Sequence, residues 1–446
     1  MATHRIIPEN PEERLIFAAL VWAWGFYVLG AMYLIGPLLA VSLMGIYVWR
    51  SFSSSWDISR GRKPQVPAGV VVWWIGMGMM LLSLLVAHIA WELGFGQTLK
   101  SSIGWLKGWA MLAMFPFAGA CLRIRPQLVI RAAGWFGLQT LILMPFLILA
   151  GIAHLPSKLY ISPLQAIGGP GPEFFSVYLY IVDPSDNSLR WQFVAPWAPA
   201  AGMMGNMLFV LAMHERARFF KVVGIIVSVM ICLMTRSRMA ELFLVIYPPL
   251  IWSLSRLSRP WLLAVGGGVS AIIGLLADTV IDTIQSAVSA FRSARMDSTR
   301  VREALGRIAV ARWQEDAPIW GHGVVVRGTH FVEFMPIGSH HTWYGLLYVK
   351  GIVGLVALLG PLLWTVFEML ILAQITRIGR LGLTMTLMVI FYSFGENLEI
   401  LAYLIWPALL LIGSAMKRGI SPAVRDNRAV EQVDNGHEPL AAAQAF

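Results

Sequence analysis

The chain has 446 residues, 57% of them apolar and only 13% charged, with a mean hydropathy of +0.68. Soluble domains carry about a quarter charged residues, so an ordinary globular enzyme is excluded and a polytopic membrane protein fits. The net charge is nevertheless +10, from 34 Lys and Arg against 24 Asp and Glu, which makes the placement of the basic residues the main question.

Taken in chain order, Arg5 and Arg14 precede an apolar stretch about twice as long as the core of a cleavable signal, and this stretch reads as a retained first span. Residues 15–49 are too long for one helix; a split near Gly30 makes them a helical hairpin. Further spans are expected near 70–90, 104–122, 132–153, 196–213, 222–234, 240–254, 261–277, 342–373, 381–394 and 400–416. That gives an all-α polytopic membrane protein of about 12 transmembrane helices, with both ends of the chain on one side. Cys121 and Cys232 fall inside apolar runs and read as small core residues, not as a disulfide or a metal pair.

Short loops rich in Lys and Arg stay in the cytoplasm. The N-terminal segment, the alternate loops near 50–63, 123–131, 216–221, 256–259 and 377–380, and the tail hold 20 of the 34 basic residues, which places both termini in the cytoplasm. The expected organisation is a membrane domain over 1–277, a large outer loop over 278–340, membrane helices over 341–416, and a polar, disordered tail over 417–446.

Two long segments project on the outer face. The first, 154–195, reads as loop, broken by Gly168-Gly169-Pro170-Gly171-Pro172. The second holds two amphipathic stretches, 279–296 and 298–313, separated by a cap at Asp297 or Ser298. It precedes the tenth or eleventh span, and a loop of this length reads as functional.

Arginines on this face run against the expected charge bias. Those of the second segment are balanced by seven acidic residues, so pairing accounts for many of them. Arg190, Arg238 and Arg300 stand apart because each lies at a loop–helix boundary near the membrane surface. A planar guanidinium grips phosphate oxygens in a bidentate way and keeps its charge, so convergence of the three would suit a pyrophosphate. Arg300 is also expected in the first turn of a helix, where free N–H groups favour an anion. Histidines cluster late: His322, His330, His340 and His341. Ser339-His340-His341 stands where the loop meets the next span, and a neutral imidazole there can take a proton from a hydroxyl. No i,i+4 His pair, phosphate loop with its Lys, or Gly-x-Ser-x-Gly motif is present, so metal, nucleotide and serine-hydrolase chemistry have no foothold.

These residues carry a resemblance. His340-His341-Thr342-Trp343-Tyr344, with Gly351 and Gly354 following, resembles the motif of the O-antigen ligase and polymerase superfamily, in which a His precedes Gly-x-x-Gly by eleven positions. His340 has that spacing and His341 does not, while His341 occupies the place of the usual amide or serine. Arg190-Trp191-Gln192-Phe193 before Pro196, Ser237-Arg238-Met239-Ala240, Ser298-Thr299-Arg300, and Pro318-Ile319-Trp320-Gly321-His322-Gly323 resemble further family motifs in the same order. Trp197 departs from the family, which has Asn there.

The resemblance implies an inverting, metal-independent glycosyltransferase of the bacterial inner membrane with its site facing the periplasm. As an O-antigen ligase it would transfer a glycan from undecaprenyl pyrophosphate to a sugar hydroxyl of lipid A-core. His340 (alternatively His341) would be the base, with Arg190, Arg300 and Arg238 (alternatively Arg302 in place of Arg300) on the pyrophosphate. No cofactor, metal or nucleic acid is implied, and the chain is expected to act as a monomer among membrane lipids. The nearest alternative is an O-antigen polymerase, then a protein O-oligosaccharyltransferase. From another class, a lipid or oligosaccharide transporter would show ionisable groups inside its spans. Only His88, Lys107, Lys350 and Glu368 qualify, and they are scattered.

Overall fold

The computed structural model describes residues 6–53, 65–183, 186–293, 296–326, 337 and 341–417; within it the side chains of 284, 287, 288, 290–293 and 296–300 are not described. Helix dominates. The chain enters through α1 (Pro11–Val21), α2 (Ala23–Val28) and α3 (Met32–Phe52), turning at Gly30 where the hairpin was expected to split. Asn10 caps α1 by accepting from the Glu13 N–H. Next come α4 (Ala68–Ala90), α5 (Gly94–Lys107), α6 (Met111–Cys121) and α7 (Pro126–Ile152). The span expected over 104–122 is therefore not one helix: the chain breaks between Lys107 and Met111. The amphipathic α5, with Lys100 and Lys107 among its polar residues, buries nothing, whereas every residue of α6 is buried.

The first outer segment is not plain loop. It carries two short antiparallel pairs, β1 (Lys158–Ile161) with β2 (Ser176–Tyr178), and β3 (Ile181–Val182) with β4 (Leu189–Arg190). These few paired residues leave the expected all-α description standing. Such pairs satisfy backbone groups that a structureless segment packed on the bundle would leave orphaned.

The remaining helices are α8 (Ala198–His214), α9 (Arg218–Met234), α10 (Arg238–Leu254), α11 (Pro260–Leu275), α12 (Ala277–Ser293), α13 (Met296–Asp316), α14 (Thr342–Ile375), α15 (Arg377–Ser393) and α16 (Leu398–Met416). Five of the described helices (α3, α4, α7, α14 and α16) are long and apolar enough to cross a bilayer, and α11 with the start of α12 makes a sixth only across an 85° bend. The count of 12 is not reached on length: α8, α9, α10 and α15 have 17 residues each, about 26 Å at 1.5 Å per residue against a hydrocarbon core of roughly 30 Å. What the chain shows is a helical membrane protein.

The core is centred on α16, which packs on α6 and α15. Gly119 and Gly413 let α6 and α16 touch backbone to backbone, because a Cβ on either would overlap a carbonyl of the partner helix. Small residues at such crossings replace the hydrophobic drive that helices lack in lipid.

Two of the motifs meet at a break in α14. Gly351 is non-helical (φ 63°) and splits the helix into halves. The segment Pro318–Gly323 fills the gap: the His322 and Gly323 N–H groups donate to the Tyr348 and Val349 carbonyls (2.9 and 3.0 Å), and the Ile352 and Val353 N–H groups donate to the Pro318 and Ile319 carbonyls (3.0 and 3.3 Å). The Ser83 hydroxyl adds a bond to the Lys350 carbonyl at 2.8 Å. Five of the groups freed by the break thus find partners, in line with the need to satisfy backbone groups inside a helical membrane protein. Gly321 (φ 73°) and Gly351 must lack side chains here, since a Cβ on either would fall on the backbone of the other strand of the plug. The two glycine motifs are therefore parts of one joint.

Candidate active site

Residues from five distant stretches gather at one end of the bundle, around the start of α14. His341 caps α14, its Nδ1 accepting weakly from the Tyr344 N–H at 3.4 Å. Its ring stacks on Tyr344 (centroids 4.1 Å apart) and meets the edge of Phe394 at 5.9 Å. A second set of bonds fastens this first turn to the turn between α15 and α16. Thr342 Oγ1 donates to the Glu396 carbonyl (2.6 Å) and accepts from the Leu398 N–H (3.1 Å), and Trp343 Nε1 donates to Ser393 Oγ (2.9 Å).

Glu396 is the feature the sequence reasoning missed. It is 2% exposed, and its carboxylate accepts from Trp197 Nε1 at 2.9 Å. Trp197, where the resemblance expects Asn, is the cap residue of α8 and supplies the indole donor. Burial pushes the Glu396 carboxyl up to about 7, against the pull of the Arg302 guanidinium and the Trp197 hydrogen bond. Burial, followed by the same Arg302, drives His341 down to about 4. The two groups feel the same arginine and are displaced by burial in opposite senses. The available signal was the pair of acids, Glu396 and Glu399, in the short turn between the apolar runs 381–394 and 400–416, where an ionisable group is costly.

Between α13, the start of α14 and Phe394 lies an open cavity of about 720 Å³. Arg302 and Arg307 reach it from α13, His341 and Tyr344 from α14. The start of α10 lies against the turn after α15, where Met239 meets Gly395, and Arg238 is the residue before it. Arg190 reaches the turn joining α9 to α10 from β4, its Nε donating to the Thr235 carbonyl at 3.0 Å.

Of the expected site residues, His341, Arg302, Arg238 and Arg190 come to this end of the molecule. Arg190 is 9% exposed and bound to Asp183 at 3.1 Å, so its charge is compensated within the outer segment and it ties that segment to the α9–α10 turn. Arg300 lies in α13, which begins at Met296; Asp297 and Ser298 therefore sit in the first turn and not at a cap. The Arg300 side chain, His330 and His340 lie outside the described residues. His322 is locked elsewhere: its ring is sandwiched between Trp91 (5.2 Å) and Tyr348 (4.3 Å), with Nδ1 donating to the Tyr348 carbonyl at 3.0 Å. Neither a protein-family model nor a curated protein matches the chain.

Proposed function

We propose that the chain is a glycosyltransferase of the bacterial inner membrane, most specifically an O-antigen ligase, with its site on the periplasmic side and both termini in the cytoplasm. In this reading the shorter helices α8, α9, α10 and α15, with α6 and the pair α1–α2, complete the expected set of 12 spans. The observation that carries it is the open cavity lined by Arg302, Arg307 and His341, next to the turn in which Glu396 is buried. A basic, partly apolar mouth of this kind suits a lipid-borne anhydride and a second amphiphile.

The reaction would run as one displacement. His340 takes the proton of the acceptor hydroxyl, the oxygen attacks the anomeric carbon of the donor sugar from the face opposite the leaving group, and the bond from that carbon to the pyrophosphate oxygen breaks. The pyrophosphate leaves with the electron pair and is stabilised by Arg302 or Arg300, with Arg238 and Arg190 as further cations. His341 is a poor base by comparison, since its lowered proton affinity weakens it and its Nδ1 is engaged as the helix cap. Glu396 would act as a positioning residue that keeps Arg302 turned inward.

A transporter is the second reading, favoured by the broken α14 with Lys350 buried beside the break. The filling of that break by Pro318–Gly323 argues against an open path there. The discriminating experiment uses a strain deleted for the gene. Capping of lipopolysaccharide should be lost with His340→Ala and reduced with His341→Ala; normal capping with His340→Ala would remove the catalytic assignment. Attachment of single O-units with loss of long chains would favour the polymerase.

A further inference from the structure

The cavity is elongated along α13. Its lining residues on that helix recur from Arg302 through Gly306, Arg307 and Val310 to Gln314, a single face about 18 Å long at 1.5 Å per residue. Arg302 marks the end beside His341, and Gln314 marks the far end. The trough is also lined by two aromatic rings, Phe394 (58% exposed) and Tyr344 (37%), the latter with one face covered by His341. Gly306 sets the depth of the trough, because a Cβ there would run into the Tyr344 ring.

Open aromatic faces next to amide and guanidinium donors are what a chain of sugar rings requires: the C–H face of a pyranose lies on the ring, and hydroxyls meet the polar side chains. Arg302 and Arg307, five positions apart, exceed the single acid Glu303 on the same face, so the trough favours a negatively charged ligand. The α13 side sets Arg302, Glu303, Arg307 and Gln314 among Leu305, Val310 and Ala311, so the trough offers polar partners beside apolar surface.

We propose that this trough binds an acidic oligosaccharide lengthwise, with Phe394 and Tyr344 as the stacking platform and Arg307 as the reader of an acidic substituent one or more sugars away from the reacting bond. The assignment rests on the transferase reading and adds to it a substrate class, a glycan bearing carboxylate or phosphate groups.

The test is binding by the purified full chain in detergent, without donor, using tetragalacturonate as the acidic probe and maltotetraose as the neutral one. Tetragalacturonate should bind about tenfold more tightly than maltotetraose, the worth of one charge-assisted hydrogen bond. Arg307→Gln should erase that difference, and Phe394→Ala should weaken both ligands about tenfold. Both side chains are exposed, so neither variant should impair folding. The proposal is overturned if the wild type binds neither probe, if both variants bind tetragalacturonate like the wild type, or if inorganic pyrophosphate competes fully for the Arg307-dependent part of binding. A protein that shows the expected binding pattern yet transfers no glycan would sink the transferase reading and leave the trough standing.

Discussion

The segment over 154–197 is fastened at scattered points along its length, whereas the described residues of 277–326 hold to the bundle along one side of α13 and at the Pro318–Gly323 plug. In the first, Tyr27 Oη donates to the Tyr178 carbonyl (3.0 Å), Ser162 Oγ to the Leu29 carbonyl (2.8 Å) and Trp191 Nε1 to the Leu147 carbonyl (3.0 Å), while Phe174 sits among Tyr33, Trp197 and Tyr403. In the second, α13 packs on α14 through Leu305, Ala309 and Tyr348, Trp313 Nε1 donates to the Pro318 carbonyl at 2.8 Å, and Pro318–Gly323 plugs the break in α14. The first is a floor that fixes Arg190 and Trp197. The second is a wall with few buried contacts, from the low-stability end of the molecule where openings for ligands arise.

The largest effect should come from the joint that anchors the wall. Gly351→Ala combines left-handed backbone strain with overlap on Ile319, about 3 kcal/mol or more in sum, and should lower the melting temperature in detergent sharply. An unchanged melting temperature would mean that the plug into α14 is not a tight fit. Next is the floor: Asp183→Ala strips the buried Arg190 of its carboxylate and should cost about 3 kcal/mol, with the loss reduced in the double variant Asp183→Ala/Arg190→Met. Equal losses in single and double variants would show that the pair is not the fastening.

Acidity gives a subtler probe. Glu396 holds its proton more tightly in the folded chain, so its contribution to stability is complete below the ordinary 4.5 and is lost as pH rises to about 7. His341 gives its proton up more readily when folded, so its contribution is complete above 6.5 and is lost as pH falls to about 4. The two slopes oppose each other between about 4.5 and 6.5. Glu396→Gln, which keeps an acceptor for Trp197, should therefore uncover a stability that rises with pH across that window; a flat profile in the variant would break the claim that burial displaces the two groups in opposite senses. Smallest is Arg236→Ala. Its pair with Asp186 is exposed on both sides, and the cost should stay within about 0.5 kcal/mol.

Much of this was legible. Apolar runs marked the helices to within a few residues, and the bend at Gly30, the arginine turn at 236–238 and the two glycine motifs stood at real boundaries. What the glycines do was not legible, because Gly321 and Gly351 need each other's backbone and lie 30 positions apart. Residues 104–122 read as one span because their hydropathy is continuous, yet Gly108 packs against Glu399 and the chain breaks beside it. Arg190 drew notice as a charge on the wrong face, but its partner Asp183 becomes near only through the pairing of β3 with β4. Glu396 escaped for the same reason: its partners Trp197 and Arg302 are remote in sequence.

The central claim, a single displacement at the outer end of the bundle, is tested most directly by reconstitution. Purified protein in proteoliposomes, given undecaprenyl-pyrophosphate-linked glycan and lipid A-core, should form a new glycosidic bond whose anomeric configuration, read by nuclear magnetic resonance, is opposite to that of the donor. His340→Ala protein should form none. A product that keeps the donor configuration, or product formed at the wild-type rate by His340→Ala, would contradict the account.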